Sequence, residues 1–151
     1  MHTDRQKILF LCTGNSCRSQ MAEGWGRHLY PDRYEFFSAG IEKHGLNPLA
    51  VKVMAEAGVD ISGQRSKLLS ELGPTTFDYV ITVCDHANEQ CPFFPGKAIT
   101  LHREFPDPPR LAQTATSEEE ALGHYRAVRD AIQEYLSSLP TALAASRPLP
   151  D

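Results

Sequence analysis

The apolar residues of this chain fall into two patterns, short continuous runs and stripes that repeat with a helical period. Continuous runs over 7–12 and 77–84 are typical of buried strands, and both end in a cysteine. Shorter apolar segments predict two further strands, at 34–38 and 98–101. The chain therefore offers four short strands for one central sheet.

Stripes with a helical period lie between and after these strands. They predict helices over 19–30 and 48–57, and a short helix over 67–72. A capping box formed by Ser117 and Glu120 begins a longer helix near the end of the chain. The apolar face of that helix is predicted to consist of Leu122, Tyr125, Val128, Ile132, Tyr135 and Leu136.

Alternating strands and helices over one compact length imply a single-domain α/β fold, with a central four-stranded parallel sheet and helices on both faces. We expect this domain to cover 1–139, and we expect 140–151, rich in Pro, Ala and Ser, to form a flexible tail that frays. Three prolines in 105–110 predict a loop there. Ligands of parallel sheets bind at the carboxyl ends of the strands, where Cys12 and Cys84 both fall.

Composition and charge argue against several classes of function. The 151 residues carry a formal net charge of −4 and are 41% hydrophobic, which is typical of a soluble globular domain and argues against a nucleic-acid-binding surface. No apolar run is long enough for a membrane span, and no signal-peptide pattern follows the N-terminus. We therefore expect a cytoplasmic monomer without nucleic-acid or membrane partners. In the cytoplasm, four cysteines indicate redox or catalytic chemistry rather than structural disulfides.

The clearest chemical pattern follows the first strand, where Cys12 is separated by five residues from Arg18 and then Ser19. Successive N–H groups in such a turn, together with a helix N-terminus, can hold a tetrahedral oxyanion while a guanidinium binds two of its oxygens. A thiolate beneath the anion can attack its centre, and the positive surroundings favour that thiolate. The predicted oxyanion-binding residues are Thr13, Gly14, Asn15, Ser16, Cys17, Arg18 and Ser19.

Several segments together resemble a known family. They are Cys12-Thr13-Gly14-Asn15-Ser16-Cys17-Arg18-Ser19, its continuation to Trp25, and the segments 37–40, 58–62, 83–84, 91–92 and 107–108. In this respect the chain resembles the low-molecular-weight tyrosine phosphatase superfamily and, within it, the thioredoxin-coupled arsenate reductases. The resemblance covers roughly residues 7–138. It implies the α/β fold inferred above and arsenate or a similar oxyanion as the substrate.

The resemblance also implies a role for each of four residues. Cys12 forms an adduct with arsenate, Cys84 attacks Cys12 and releases arsenite, and Cys91 then forms a disulfide with Cys84 that thioredoxin reduces. Asp107, between two prolines, is implied to be the general acid that protonates the leaving oxygen. Reduction of arsenate needs two electrons, and two thiols that join as a disulfide supply them. The alternative is that the two later cysteines are unrelated thiols and that Asp107 is a solvated loop aspartate.

Two other functions remain open at this point. A low-molecular-weight protein-tyrosine phosphatase needs only Cys12, Arg18 and Asp107, with Cys84 and Cys91 providing redox protection. Pro109-Arg110 stands where such phosphatases often place an aromatic pair, which weakens that alternative. A non-catalytic oxyanion sensor would need a basic DNA-reading helix, and none is evident in the sequence.

No metal or other cofactor is expected. A zinc site formed by Cys84, His86, Cys91 and His102 is a weak alternative, because the spacing matches no short zinc-knuckle pattern. Some reductases of the resembled family hold potassium near the equivalents of Asn15, Glu23 and Ser38, with a further acidic residue downstream. In this chain the downstream segment carries basic residues, so we expect Arg65 or Lys67 to supply the cation.

Overall fold

The computed structural model describes residues 5–85 and 96–146. Four strands form one sheet with the order β2-β1-β3-β4, in which every pair is parallel. The strands are β1, Gln6–Cys12; β2, Tyr34–Gly40; β3, Tyr79–Thr82; and β4, Ile99–His102. The predicted four-stranded parallel α/β fold is therefore confirmed.

Within the described residues, five α-helices and two short 3-10 helices complete the fold. The 3-10 helices cover Leu69–Leu72 and Ala112–Thr114. The α-helices are α1, Arg18–Leu29; α2, Pro48–Glu56; α3, Pro108–Leu111; α4, Glu118–Ser137; and α5, Leu139–Ser146. No helix within the described ranges combines the length and apolar character needed to cross a membrane.

Strand β1 lies between β2 and β3 and divides the core, because its side chains alternate between the two faces of the sheet. Ile8 and Phe10 belong to the larger apolar cluster, to which α1, α2, α4 and α5 all contribute. Leu9 and Leu11 belong to a smaller cluster, against which the 3-10 helix Leu69–Leu72 packs. The prediction of helices on both faces of the sheet is confirmed. Among the described residues, the second face carries the short 3-10 helix.

The second cysteine-containing strand is shorter than its apolar run. The sequence predicts a strand over 77–84, but β3 pairs only from Tyr79 to Thr82. Phe77 and Cys84 are buried all the same, at 4% and 0% exposure. A continuous apolar run indicates that residues are buried on both faces of the sheet, but it does not show which of them form backbone hydrogen bonds with a neighbouring strand. Here it therefore overestimates the length of the strand. Cys84 consequently lies two residues beyond the end of β3.

The predicted short helix over 67–72 is also different in the structure. Only Leu69–Leu72 is helical, and it adopts the 3-10 form. Ser66 does not cap it, since the Ser66 hydroxyl donates a hydrogen bond to the carbonyl of Gly14, at 3.1 Å. Residues 65–67 are thus engaged with the loop after β1.

The proline-rich segment 105–110 was expected to be a loop, but its second half begins helix α3. Asp107 occupies the N-cap position, and Pro108 and Pro109 fill the first two helical positions. Proline suits these positions because their N–H groups have no partner inside a helix. The prolines therefore fix the place of Asp107 by starting a helix directly after it.

The end of the chain differs from the prediction of a flexible tail over 140–151. Residues Leu139–Ser146 form α5, in which Leu139 and Leu143 are buried in the larger cluster, at 0% and 3% exposure. The Pro, Ala and Ser composition suggested fraying, but two leucines four residues apart lie on one helical face and can pack together. Residues 147–151 lie outside the described part, and the domain boundary at residue 139 stays a prediction.

Replacing Leu143 with alanine tests whether α5 belongs to the folded domain. We expect Leu143→Ala to lower the free energy of unfolding by about 2–3 kcal/mol, since it removes a buried side chain and leaves a cavity. Chemical denaturation of the full chain measures this. Thr141→Ala, on the exposed side of the same helix, is the matched control. Equal stability of the two variants would show that α5 does not contribute to the core.

Candidate active site

The loop between β1 and α1 forms one side of a cavity at the carboxyl edge of the sheet. Cys12 ends β1 and Arg18 begins α1, so the N-terminus of α1 and its positive dipole end lie at this edge. The cavity has a volume of about 410 Å³. Its lining residues are Cys12, Thr13, Gly14, Ser16, Cys17, Arg18, His44, Gly45, Leu46, Asn47, Pro48, Asp107 and Pro109. The structure thus places Cys12, Arg18, Asp107 and most of the predicted oxyanion loop around one space.

Backbone hydrogen bonds from the segment 41–47 fix the shape of this loop. The carbonyl oxygens of three loop residues accept these hydrogen bonds and so point toward the segment 41–47. Because the C=O and N–H of a trans peptide lie on opposite sides, the N–H that follows each carbonyl points away from that segment. The bonds run from Ile41 N and Glu42 N to Thr13 O at 3.0 and 2.9 Å, from His44 N to Gly14 O at 3.1 Å, and from Asn47 N to Ser16 O at 2.9 Å. The loop is therefore held in place before any ligand binds.

Gly14 and Gly40 allow these close approaches. A Cβ atom at Gly14 would collide with the ring of His44, and one at Gly40 would lie 2.6 Å from the carbonyl oxygen of Thr13. Both glycines are needed for space rather than for unusual dihedral angles, since neither has a positive φ. A side chain at either position would push the loop away from its supports.

Asn15 holds the centre of the loop in place through side-chain hydrogen bonds. Its φ of 48° lies in the left-handed region, which asparagine tolerates, and its side chain is fully buried. The amide nitrogen donates to the Ser19 hydroxyl at 2.8 Å. The amide oxygen accepts from the backbone N–H of Lys67 at 2.7 Å and from Gln20 Nε2 at 3.0 Å. Asn15 therefore joins the loop, α1 and the segment 65–67.

The Cys12 sulfur lies 2.8 Å from the Ser19 hydroxyl oxygen. Since that oxygen already accepts a hydrogen bond from Asn15, the single hydroxyl proton of Ser19 is free to point at the sulfur. A donor aimed at sulfur stabilises the thiolate, which is the nucleophilic form. The geometry thus places Ser19 as a hydrogen-bond donor to the Cys12 sulfur.

Arg18 and Asp107 meet across the cavity, although they are far apart in the sequence. Arg18 Nη2 lies 3.6 Å from Asp107 Oδ1, and Arg18 Nη1 donates to the carbonyl of Phe105 at 3.3 Å. The Arg18 side chain is only 4% exposed, whereas that of Asp107 is 31% exposed. The pair thus combines a fixed cationic group with a carboxyl group that solvent can reach. This is an arrangement in which Asp107 can exchange protons while Arg18 binds an anion.

Cys17 is the second free thiol in the loop. Burial, chiefly, and the nearby Asp107 and Cys12 raise its pKa well above the ordinary value. A thiol with a raised pKa stays protonated at neutral pH and is a poor nucleophile. Of the two free thiols in the loop, Cys17 is therefore the less suited to act as a nucleophile.

Cys84 lies close to Cys12 in the register of the sheet. Leu11 pairs with Thr82, and Val83 N donates to Leu11 O at 2.9 Å, so Cys84 is one residue beyond the level of Cys12. Both cysteines belong to the same buried cluster. Cys84 is disulfide-bonded, whereas Cys12 and Cys17 are both free thiols. Cys91 lies outside the described residues, so its predicted role stays a prediction.

The zinc alternative gains no support from the residues described. His102 Nδ1 lies 2.6 Å from the Thr82 hydroxyl, and its Nε2 lies 3.6 Å from Glu104. Within 5–85 and 96–146, no three His, Cys, Asp or Glu side chains are grouped so that they could hold a metal ion. Two members of the predicted zinc set, His86 and Cys91, lie outside these ranges.

Sequence patterns missed the side of the cavity formed by 44–48. His44 covers Gly14 and lies 3.0 Å from the Glu42 carboxylate, while Asn47 both caps α2 and donates to the Tyr125 hydroxyl at 3.0 Å. The motif after β1 carries no information on these residues, because they reach the cavity only through the packing of the segment after β2. Only the capping role of Asn47 has a local sequence signal.

A Ser19→Ala variant tests the hydrogen bond to the Cys12 sulfur. A hydrogen bond to a charged group contributes about 1.5 kcal/mol. Its loss should therefore lower the alkylation rate of Cys12 at neutral pH about tenfold. Peptide mass analysis after timed exposure to iodoacetamide measures this rate, and Cys17 is expected to react far more slowly because its pKa is raised. Ser70→Ala, at an exposed serine, is the control. Equal rates for the two variants would show that Ser19 does not stabilise the thiolate.

Comparison with known proteins agrees with this geometry. A family model described as low molecular weight phosphotyrosine protein phosphatase matches residues 7–149. The chain is 48% identical to an arsenate reductase of Bacillus subtilis over 125 residues, which are 83% of this chain and 88% of that protein. A solved arsenate reductase in a phosphate-binding state matches with a TM-score of 0.73 and 30% identity, over 91% of this chain and 98% of the other.

A thioredoxin-dependent arsenate reductase of Corynebacterium glutamicum also matches, with a TM-score of 0.65 and 26% identity. The match covers 97% of this chain and 66% of that one. The resemblance proposed from the sequence motifs is thus confirmed by both family and structure. The chain belongs to the low molecular weight phosphotyrosine protein phosphatase family and, within it, to the arsenate reductases.

Proposed function

We propose that this protein reduces arsenate to arsenite through an adduct on Cys12 and a disulfide relay through Cys84 and Cys91, recycled by thioredoxin. The observation that carries the proposal is the position of two cysteines, in different chemical states, at one edge of the sheet. Cys12 is a free thiol within an anion-binding loop, and Cys84, one residue beyond it in register, is disulfide-bonded. Phosphate-ester hydrolysis does not itself require the second cysteine, whereas a two-electron reduction does.

In the first step, the loop and Arg18 bind the arsenate oxygens, and the Cys12 thiolate attacks the arsenic atom. A sulfur–arsenic bond forms and one arsenic–oxygen bond breaks. The departing oxygen leaves as water if it is protonated, and Asp107, which shares the cavity with Cys12 and lies 3.6 Å from Arg18, is the group placed to supply that proton. The burial of Arg18 strengthens its attraction for the anion.

In the second step, the Cys84 thiolate attacks the Cys12 sulfur, and the electron pair of the sulfur–arsenic bond stays on arsenic. Arsenic(V) thereby becomes arsenic(III), arsenite leaves, and a disulfide joins the two sulfurs. The thiolate of Cys91 then attacks the Cys84 sulfur and releases Cys12 as a thiolate. The two electrons come from two thiols, and a dithiol such as thioredoxin must return them by exchange with the Cys84 disulfide.

The reductase relatives support arsenate as the substrate, and the thioredoxin-dependent relative of Corynebacterium supports thioredoxin as the electron donor. We further propose a cytoplasmic location, where thioredoxin keeps thiols reduced. A monomer is the simplest assembly, since the exposed large apolar residues of the described ranges are only Ile41 and Leu111.

The lining of the cavity favours a small inorganic anion over a phosphotyrosine side chain. Among the described residues, those that line it include histidine, leucine and prolines but no Phe, Tyr or Trp. Within the described residues, a phosphotyrosine ring would find no phenyl or indole ring in the lining on which to stack. Turnover of arsenate with thioredoxin should therefore exceed turnover of a phosphotyrosine peptide.

Substitution of the relay cysteines separates reduction from phosphate-ester chemistry. We expect Cys84→Ser and Cys91→Ser to abolish multiple-turnover arsenate reduction with thioredoxin as the only reductant, because a two-electron relay needs both thiols. Slow cleavage of an aryl phosphate, which needs Cys12, Arg18 and Asp107 but neither later cysteine, should remain. Steady-state assays of both reactions on the same preparations measure this. Undiminished arsenate turnover in Cys91→Ser would disprove the relay.

An Asp107→Asn variant tests the general acid. Loss of proton donation predicts at least about a 100-fold slower cleavage of p-nitrophenyl phosphate, and a much smaller loss with a dinitrophenyl ester, whose leaving group needs less protonation. Asp130→Asn, at an exposed aspartate paired with Arg129, is the matched control. An equal loss with both esters would assign Asp107 a purely structural role.

A further inference from the structure

Glu23 on α1 is a carboxylate buried near the loop, with only 2% exposure. Burial of a charge is costly unless partners compensate for it. The Ser38 hydroxyl donates to Glu23 Oε1 at 2.5 Å, and Arg27 Nη2 lies 2.8 Å from Oε2. Lys67 Nζ is the third partner, at 3.8 Å from Oε1.

Of the two basic residues in the segment 65–67, only Lys67 reaches this carboxylate. Its side chain is 13% exposed, and its ammonium also donates to the carbonyl of Arg65 at 2.9 Å. The Arg65 guanidinium instead is 66% exposed and pairs with Glu71. Burial lowers the pKa of Lys67, and the charge of Glu23 acts in the opposite direction.

The residues present here do not fit the potassium site that the resemblance implied. Both carboxylate oxygens of Glu23 already face cationic groups, since Lys67 lies near one and Arg27 near the other. The amide oxygen of Asn15 accepts two N–H donors, from Lys67 and Gln20. A potassium ion needs oxygen lone pairs that no donor occupies, which Asn15 Oδ1 no longer offers, and it would also be repelled by the ammonium group.

Lys67 is joined to the reactive thiol by a short series of hydrogen bonds. Its backbone N–H holds Asn15 Oδ1, Asn15 Nδ2 donates to the Ser19 hydroxyl, and that hydroxyl contacts the Cys12 sulfur. The ammonium–Glu23 pair attaches the same residue to α1 from its other end. The two ends of Lys67 thus fix the segment 65–67 between α1 and the loop.

We propose that the Lys67 ammonium is a built-in counter-ion for Glu23 that replaces a bound potassium ion and holds Asn15 and Ser19 in place for Cys12. Lys67 is a positioning residue, since it touches neither the cavity nor the sulfur. The inference rests on Cys12 being the nucleophile of the proposed function, but not on arsenate being its substrate.

The test compares potassium, sodium and choline chlorides at equal ionic strength, with the full chain in each. Two quantities are measured, the alkylation rate of Cys12 by iodoacetamide and the midpoint of thermal unfolding, and neither needs arsenate or thioredoxin. For wild type we expect the same values in all three salts. A potassium-specific rise of several-fold in wild-type alkylation would overturn the proposal.

Three substitutions at Lys67 give the proposal its sharpest test. In choline, Lys67→Met should lower the alkylation rate about fivefold and the unfolding midpoint by about 5 °C, since it leaves Glu23 with one fewer cation, and Lys67→Arg should restore both. Lys67→Asp should be impaired in choline and sodium and recover in potassium, because it supplies a carboxylate where the ammonium stood. A Lys67→Asp protein without any response to potassium would contradict the idea that the ammonium occupies the place of the ion.

Lys43→Met is the matched control, because Lys43 pairs with the partly exposed Glu71 rather than with Glu23. It should match wild type in each salt. If Lys67→Met also matched wild type in both measurements, the counter-ion role would be disproved. Failure of arsenate reduction alone, with these results as expected, would count against the proposed function and leave the role of Lys67 intact.

Discussion

The contact between the Cys12 sulfur and the Ser19 hydroxyl is the interaction on which the rest of the site depends. The Ser19 hydroxyl accepts a hydrogen bond from Asn15 and can direct its own proton at the sulfur. Asn15 in turn is fixed by its left-handed backbone and by Lys67 N–H. A single reactive thiolate is thus prepared by a buried polar network in which each member constrains the next.

The sheet and the helix that follows it place the other functional side chains near Cys12. Because β1 and β3 are parallel neighbours, their carboxyl ends lie at one edge, and the Leu11–Thr82 pair sets Cys84 close to the level of Cys12. Helix α3 adds Asp107 at its N-cap position, where it meets Arg18. In the proposed function, the loop binds the oxyanion and the neighbouring strand supplies a second sulfur. The difference between hydrolysis and reduction therefore lies outside the loop motif.

Local patterns in the sequence predicted the features that local physics controls. The Cys12–Ser19 motif follows from residue spacing, and the four parallel strands follow from the apolar runs. The contribution of His44 and the burial of Leu143 depend on segments that meet only in the folded chain, so no local pattern carries them. The choice between Arg65 and Lys67 is of the same kind, because both are basic and only packing distinguishes their partners.

The central claim is that the electrons for reduction come from a pair of cysteines that does not include the one bound to arsenic. The most direct measurement is a mass map of disulfides after fully reduced protein has reacted with one equivalent of arsenate without thioredoxin. The relay predicts one equivalent of arsenite, a Cys84–Cys91 disulfide and free Cys12 and Cys17, and a Cys12–Cys84 disulfide in the Cys91→Ser variant. Release of arsenite while Cys84 remains a thiol would contradict it.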